Sequence, residues 1–224
     1  MMNNMKSPSQ QIGEFSITAI SDGYLSASLD LLSNISPTDA FELQQGAGAT
    51  DPSSIHINCY LVRGRGRTVL IDAGAGGFKQ WGGQLQANLA RAGVHPSDID
   101  TILLTHAHPD HIGGLVDSSG DAAFPDAELV VHPHEVDFWE DDGHLGRASE
   151  RARGNFLFAR KVFDRYREKM RVSTHDDILP GISAVPLPGH TAGHSGYRIE
   201  SCNRSLLVCC LLYTSPSPRD RQKS

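Results

Sequence analysis

Residues 105–115 read THAHPDHIGGL, which places four potential metal ligands, His106, His108, Asp110 and His111, within six positions. In an extended segment, side chains at i and i+2 point to one side. His106 and His108 can therefore converge on one ion. The chain then turns, and Asp110 and His111 can face a second ion nearby. Imidazole nitrogen with carboxylate oxygen suits Zn²⁺, with iron or manganese as alternatives. Downstream, LPGHTAGHS again sets a histidine behind an apolar strand and a glycine turn. His190 is the natural third nitrogen for the ion of His106 and His108, and three histidines plus water form the open arrangement of a catalytic zinc site. His194, which begins the next strand, reads as structural. A lone histidine is more simply a core or surface residue, but four ligands directly behind a buried apolar run point to metal. Other chemistries lack support. There is no Gly-x-Ser-x-Gly elbow for a serine nucleophile, and the glycines at 74, 76 and 77 lack the Lys-Ser/Thr ending of a phosphate loop.

The elements that must position these ligands are legible as short apolar runs. Alternation predicts a strand over 14–20, closed by a Ser21-Asp22-Gly23 turn, after a loose polar leader at 1–13. Residues 30–54 read as a surface loop with a helical turn. Strands at 55–62 and 68–71 form a hairpin around RGRGR, and a glycine-rich loop follows at 73–83. A helix over 84–92 carries Leu85 and Leu89 on one face and stops at Gly93. The strand at 100–105 delivers the first histidine motif. A strand at 128–132 and helices over 134–140 and 149–170 follow. Strands at 182–188, 195–200 and 205–209 finish the pattern. Runs of strands with helices between them imply sheets covered by helices. In the long helical stretch, Phe138, Trp139, Phe156, Phe158 and Phe163 read mainly as core. Glu150, Arg151, Arg153, Arg160, Lys161, Arg165, Arg167 and Lys169 read as a solvated face.

Composition bounds the function. The chain has 224 residues, enough for one sizeable domain, and 39% apolar against 21% charged residues excludes a wholly disordered chain. A net charge of −6 argues against broad electrostatic binding of nucleic acid or anionic membrane. No apolar run approaches the ~20 residues of a membrane helix. The N-terminus MMNNMKSPSQQ has no signal-peptide core. Cys59, Cys202, Cys209 and Cys210 make a poor disulfide framework, so the expected compartment is the cytoplasm. The expected partner is a small-molecule substrate, with no nucleic acid and no membrane.

IHINCYLV with TVLIDAG (Asp72 in its acidic turn), ILLTHAHPDHIGGL and PGHTAGHSGY together resemble the metallo-β-lactamase superfamily, over roughly residues 15–209. The resemblance implies an α+β fold, a four-layer αβ/βα sandwich with two β-sheets face to face, helices outside and metal at one edge. It assigns His106, His108 and His190 to a first zinc ion, and Asp110 and His111 to part of a second. A zinc-bound hydroxide would attack the substrate, and Asp110 would double as proton shuttle. EFSITAISDGY and PGHTAGH are most similar to the lactonase and methyl-parathion-hydrolase-like branch, which implies opening of a lactone or other ester-type substrate. On the same fold, a glyoxalase II-like thioester hydrolase or an iron-dependent persulfide dioxygenase would use the same residues. A third alternative is an inactive metal-binding fragment. The family leaves a homodimer open.

The pattern breaks after SLLVC. The resemblance implies a Gly-Asp step there, whose carboxylate bridges the two metals, and a later histidine. The chain instead reads CLLYTSPSPRDRQKS, which is similar to a translated sequencing-adapter sequence. The expected organisation is therefore a partial metallo-β-lactamase-like domain over 14–209, incomplete at its C-terminus, and a non-native tail over 210–224. Two ions are expected in the full-length parent and one site here, with activity impaired.

Overall fold

A computed structural model describes residues 7–32, 34–174 and 177–210 of the chain. The expected tail lies outside the described residues apart from Cys210. A seven-stranded sheet runs in the order β1 (Ser9–Ile12), β2 (Phe15–Ser26), β3 (Ser54–Gly64), β4 (Arg67–Ile71), β5 (Thr101–Leu103), β6 (Glu128–Val131), β7 (Met170–Val172). The first four strands pair antiparallel and the last four parallel. A second sheet is antiparallel, in the order β11 (Arg204–Val208), β10 (Ser195–Ser201), β9 (Ile182–Pro186), β8 (Asp177–Leu179). The helices are α1 (Pro37–Gly46), α2 (Leu85–Arg91), α3 (Pro109–Ile112), α4 (Pro133–Glu140), α5 (Asp142–Arg147) and α6 (Glu150–Tyr166).

Strand alternation sorts the apolar side chains into two cores. Leu70, Ile102 and Leu129 sit side by side in β4, β5 and β6 and face helices, meeting Leu89 of α2 and Phe156, Ala159 and Phe163 of α6. Their neighbours Ile71, Leu103 and Val130 point the other way, against Ile182, Tyr197 and Ile199 of the second sheet. The layers thus run helices, sheet, sheet, and no helix occurs among the described residues after Lys169. α6 is anchored at Ser149, whose hydroxyl accepts the Ala152 N–H at 3.3 Å. Phe156, Phe163 and Trp139 are buried as expected, with Phe138 and Phe158 packed partly against them. Arg160 departs from the expected solvated face. Its guanidinium clamps α4 to α6 through the Trp139 and Glu140 carbonyls at 2.9 Å each, and it pairs with Asp142 at 2.8 Å.

Several elements differ from the sequence reading. Within the expected polar leader, Ser9–Ile12 forms an edge strand, because pairing with β2 satisfies its backbone whatever its side chains and Ile12 is buried in the inter-sheet core. The loop at 30–54 contains ten-residue α1, capped by Ser36. The stretch after Tyr166 ends in β7, which completes the parallel edge, and α5 and β8 have too few apolar residues to announce themselves.

The expected turn at Ser21-Asp22-Gly23 is a bulge. β2 continues to Ser26, and the register steps from Ser21–Asn58 to Gly23–Ile57, leaving Asp22 as the extra residue. Its fully buried carboxylate accepts the backbone N–H groups of Ala75 (2.8 Å), Gly76 (3.3 Å), Gly83 (3.0 Å) and Leu85 (2.8 Å). The glycine-rich loop is thus wound around one side chain. Gly74 (φ 71°) and Gly82 (φ 56°) have left-handed backbones, and a Cβ on either would lie 2.4 or 2.0 Å from that carboxylate. Asp22→Ala strands the buried N–H groups of Ala75 and Leu85, unties Gly76 and Gly83, and should lower stability by about 3 kcal/mol. Urea unfolding with an unchanged m-value is the check, and a loss below about 1 kcal/mol would contradict this account.

Candidate metal centre

The site lies where β4 and β5 end and where the second sheet is stitched to the first. Asp72 follows β4 with φ 58°, a left-handed conformation that Asp tolerates better than most residues. Its N–H donates to the Leu103 carbonyl at 3.0 Å. From the second sheet, the Tyr197 hydroxyl donates to the Leu104 carbonyl at 2.7 Å, and the Ser195 N–H to the Thr105 carbonyl at 2.8 Å. β10 therefore presents the 187–194 loop directly to the start of the first histidine motif.

One chain of hydrogen bonds fixes which ring nitrogens are free. Asp72 accepts the Thr105 N–H on Oδ1 and the Thr105 hydroxyl on Oδ2, both at 2.8 Å. With its own proton given to Asp72, the Thr105 oxygen can only accept from His106 Nδ1, at 3.1 Å. His106 Nε2 is left with a lone pair, buried and without a hydrogen-bond partner. His194 repeats the logic: Nδ1 donates to the Leu187 carbonyl at 3.1 Å, and the buried Nε2 has no partner. Two unpartnered lone pairs in a buried site suit a cation.

The predicted residues come together. One ring nitrogen each from His106, His108 and His190 lie within 4.8 Å of one another, with His108 Nδ1 and His190 Nε2 2.8 Å apart. His111 stands against the same cluster, its ring centroid 4.1 Å from that of His106. Its Nδ1 donates to Asp72 at 2.8 Å, and its Nε2 meets Asp110 Oδ2 at 3.3 Å. Asp110 and His111 thus form the expected pair beside the three-histidine group. His194, read as structural, also brings a ring nitrogen within 4.8 Å of one on His106. Cys210, at the head of the expected tail, has its sulfur 3.7 Å from His111 Nε2. That sulfur also groups with His106 and His194, and with Asp72 and His111.

Burial pushes the imidazole pKa values of His106, His108, His190 and His194 down, which favours the neutral, ligating form. For His106 and His190 the neighbouring histidines add to that effect, and His190 falls to about 4. His111 goes the other way: burial opposes its charge, but Asp110 and Asp72 outweigh burial and raise it. Burial would raise Asp110, yet His111 outweighs it and holds Asp110 at about 2. The donor set of imidazole nitrogens and carboxylates fits zinc.

Sequence reasoning missed two supporting residues. Thr105, which donates twice to Asp72, reads in the sequence only as the last position of a strand. Glu135, buried in α4, accepts the Ala107 N–H at 2.9 Å and the Gly193 N–H at 3.0 Å. HPHEVDFWE carries no signal for that beyond an acidic residue in a first helical turn.

Residues 55–222 match the model of the Metallo-beta-lactamase superfamily. The probable metallo-hydrolase Mb2322c of Mycobacterium bovis is 30% identical over 127 residues, which are 54% of this chain and only 39% of that relative's length. Among solved structures, the hydrolase AbOPH in the beta lactamase superfamily has a TM-score of 0.78 at 28% identity, covering 90% of this chain and 72% of that one. AidC, a dizinc quorum-quenching lactonase, has a TM-score of 0.81 at 26% identity, covering 90% and 73%.

The histidine pKa directions set a pH dependence for the metal-free protein. Between the unfolded value of about 6.5 and the folded value of about 4, His190 binds its proton more readily unfolded, so stability falls as pH falls through that window. His111 contributes in the opposite sense: its contribution is complete below about 6.5 and is lost as pH rises through its raised folded value. Denaturant titrations of EDTA-treated protein from about pH 6.5 to 4 should show a shallower slope for His190→Gln than for the parent chain. Equal slopes would contradict the assignment.

Proposed function

The chain belongs to the metallo-β-lactamase superfamily, and from that premise we propose that it is a zinc-dependent hydrolase that opens a lactone or other ester-type bond in a small-molecule substrate. The observation that carries this reading is the convergence of His106, His108 and His190, with a free His106 nitrogen, at the junction of the two sheets. The likeness to a dizinc lactonase over most of the described fold supports the lactone class.

His106, His108 and His190 would hold a zinc ion, which would supply water activation near pH 7 and polarisation of an ester carbonyl. The rest falls to the chain. Asp72, through Thr105, holds His106 in the tautomer that leaves its Nε2 free, and it orients His111 by accepting from Nδ1. Asp110 is ionised at neutral pH, so it is set to accept a proton at Oδ2 rather than to give one when the reaction starts. Trp139 packs edge-on against His108 with ring centroids 5.5 Å apart and supports that ring.

Elemental analysis of purified protein should find about one zinc per chain, and none in His106→Ala. The zinc-loaded chain should open N-acyl homoserine lactones faster than S-acyl thioesters, and His106→Ala should lose ~100-fold or more of that rate. Zinc retained in His106→Ala would overturn the ligand assignment. Zinc bound with thioesters opened faster than lactones would overturn the lactonase reading.

A further inference from the structure

We propose that Glu135 is a positioning residue for the metal centre, one carboxylate that sets the separation between the His106–His108 segment and the His190–His194 loop. The inference rests on the metal reading above. Glu135 is 1% exposed, on the first turn of α4. Its two oxygens divide between the two ligand-bearing segments. Oε2 accepts the N–H of Ala107, the residue between His106 and His108, at 2.9 Å. Oε1 accepts the N–H of Gly193 at 3.0 Å and the hydroxyl of Thr191, both residues between His190 and His194. The fourth donor is the Trp139 indole N–H, at 3.3 Å from Oε2, and that ring packs on His108. Three of the four donors thus sit between paired histidines, and the fourth belongs to the wall of His108.

The simpler alternative is a buried staple that stabilises the fold without affecting the site. Two features favour positioning. First, the contact has no slack: a Cβ on Gly193 would stand 2.9 Å from both Glu135 Cγ and Glu135 N, so the loop rests directly on the start of α4. Second, none of the four donors is a cation. The Glu135 oxygens are held by two backbone N–H groups, one hydroxyl and one indole N–H, so no cationic side chain among the described residues takes the place of a bound ion. Orienting partners one step behind the ligands commonly change metal affinity by about 10–100-fold.

Glutamine is the discriminating substitution, because it keeps the shape but turns one acceptor into an N–H₂ donor facing donors. Zinc affinity of Glu135→Gln, measured by chelator competition, should fall ~10–100-fold, with a shifted cobalt(II) ligand-field spectrum in the substituted protein. Thr191→Val, which removes one donor and leaves the carboxylate, should weaken zinc by a smaller factor and serves if Glu135→Gln does not fold. Unfolding of the metal-free variants is followed in parallel. Lower metal-free stability with parental zinc affinity and an unchanged cobalt spectrum would overturn the proposal in favour of a staple. A parent chain that binds zinc no better than His106→Ala would instead overturn the metal reading, and this inference with it.

Discussion

The carboxylate of Asp72 is the constraint on which the site depends. It sits at the end of β4 in a left-handed backbone conformation and can only accept hydrogen bonds. Three of them converge on it from Thr105 and His111. Each is directional, so the proton positions of two histidines follow from one acidic side chain. The consequence is chemical as well as geometric: a histidine free to choose its tautomer offers the wrong nitrogen part of the time, and here that freedom is removed before any ligand arrives.

Around this fixed point the two sheets divide the labour. The parallel half of the large sheet supplies the first histidine motif from the end of β5. The small sheet supplies the second from the start of β10. Neither sheet contains a full ligand set, and the contacts that join them, Tyr197 to Leu104 and Ser195 to Thr105, fall at the first residues of the motif. The inter-sheet core of Ile71, Leu103, Val130, Tyr197 and Ile199 lies immediately behind them. Burial of such side chains contributes on the order of 1.5–3 kcal/mol each. The site is held by the packing that holds the sheets together.

Much of this was legible in the chain. The ligands His106, His108, Asp110, His111 and His190 announce themselves by residue type and spacing, and the apolar runs before them locate the strands that carry them. The elements missed share a cause. Ser9–Ile12 and Met170–Val172 are edge strands whose pairing depends on a neighbour rather than on their own pattern. Asp22 reads as a turn residue because Ser-Asp-Gly is turn chemistry, and only the distant 74–85 loop turns it into a buried anchor. Glu135 is invisible for the same reason: three of its four donors lie 28 to 58 positions away, and two of them are backbone N–H groups. Side chains that serve distant backbone leave no periodicity and no motif.

The stitching of β10 to the first motif also decides when the site can exist. His108 and His190 are 82 positions apart, and Tyr197 and Leu104 are 93 apart. Closing such loops costs entropy that only the docked sheets repay, and topologies rich in distant contacts fold slowly. On a ribosome, the four ligands of residues 106–111 emerge well before the segment that completes them. Until Ser195 and Tyr197 have been made and docked, those histidines line an open edge. The nascent protein therefore passes through a stage at which it already carries the ligands but cannot yet offer an ion a closed shell.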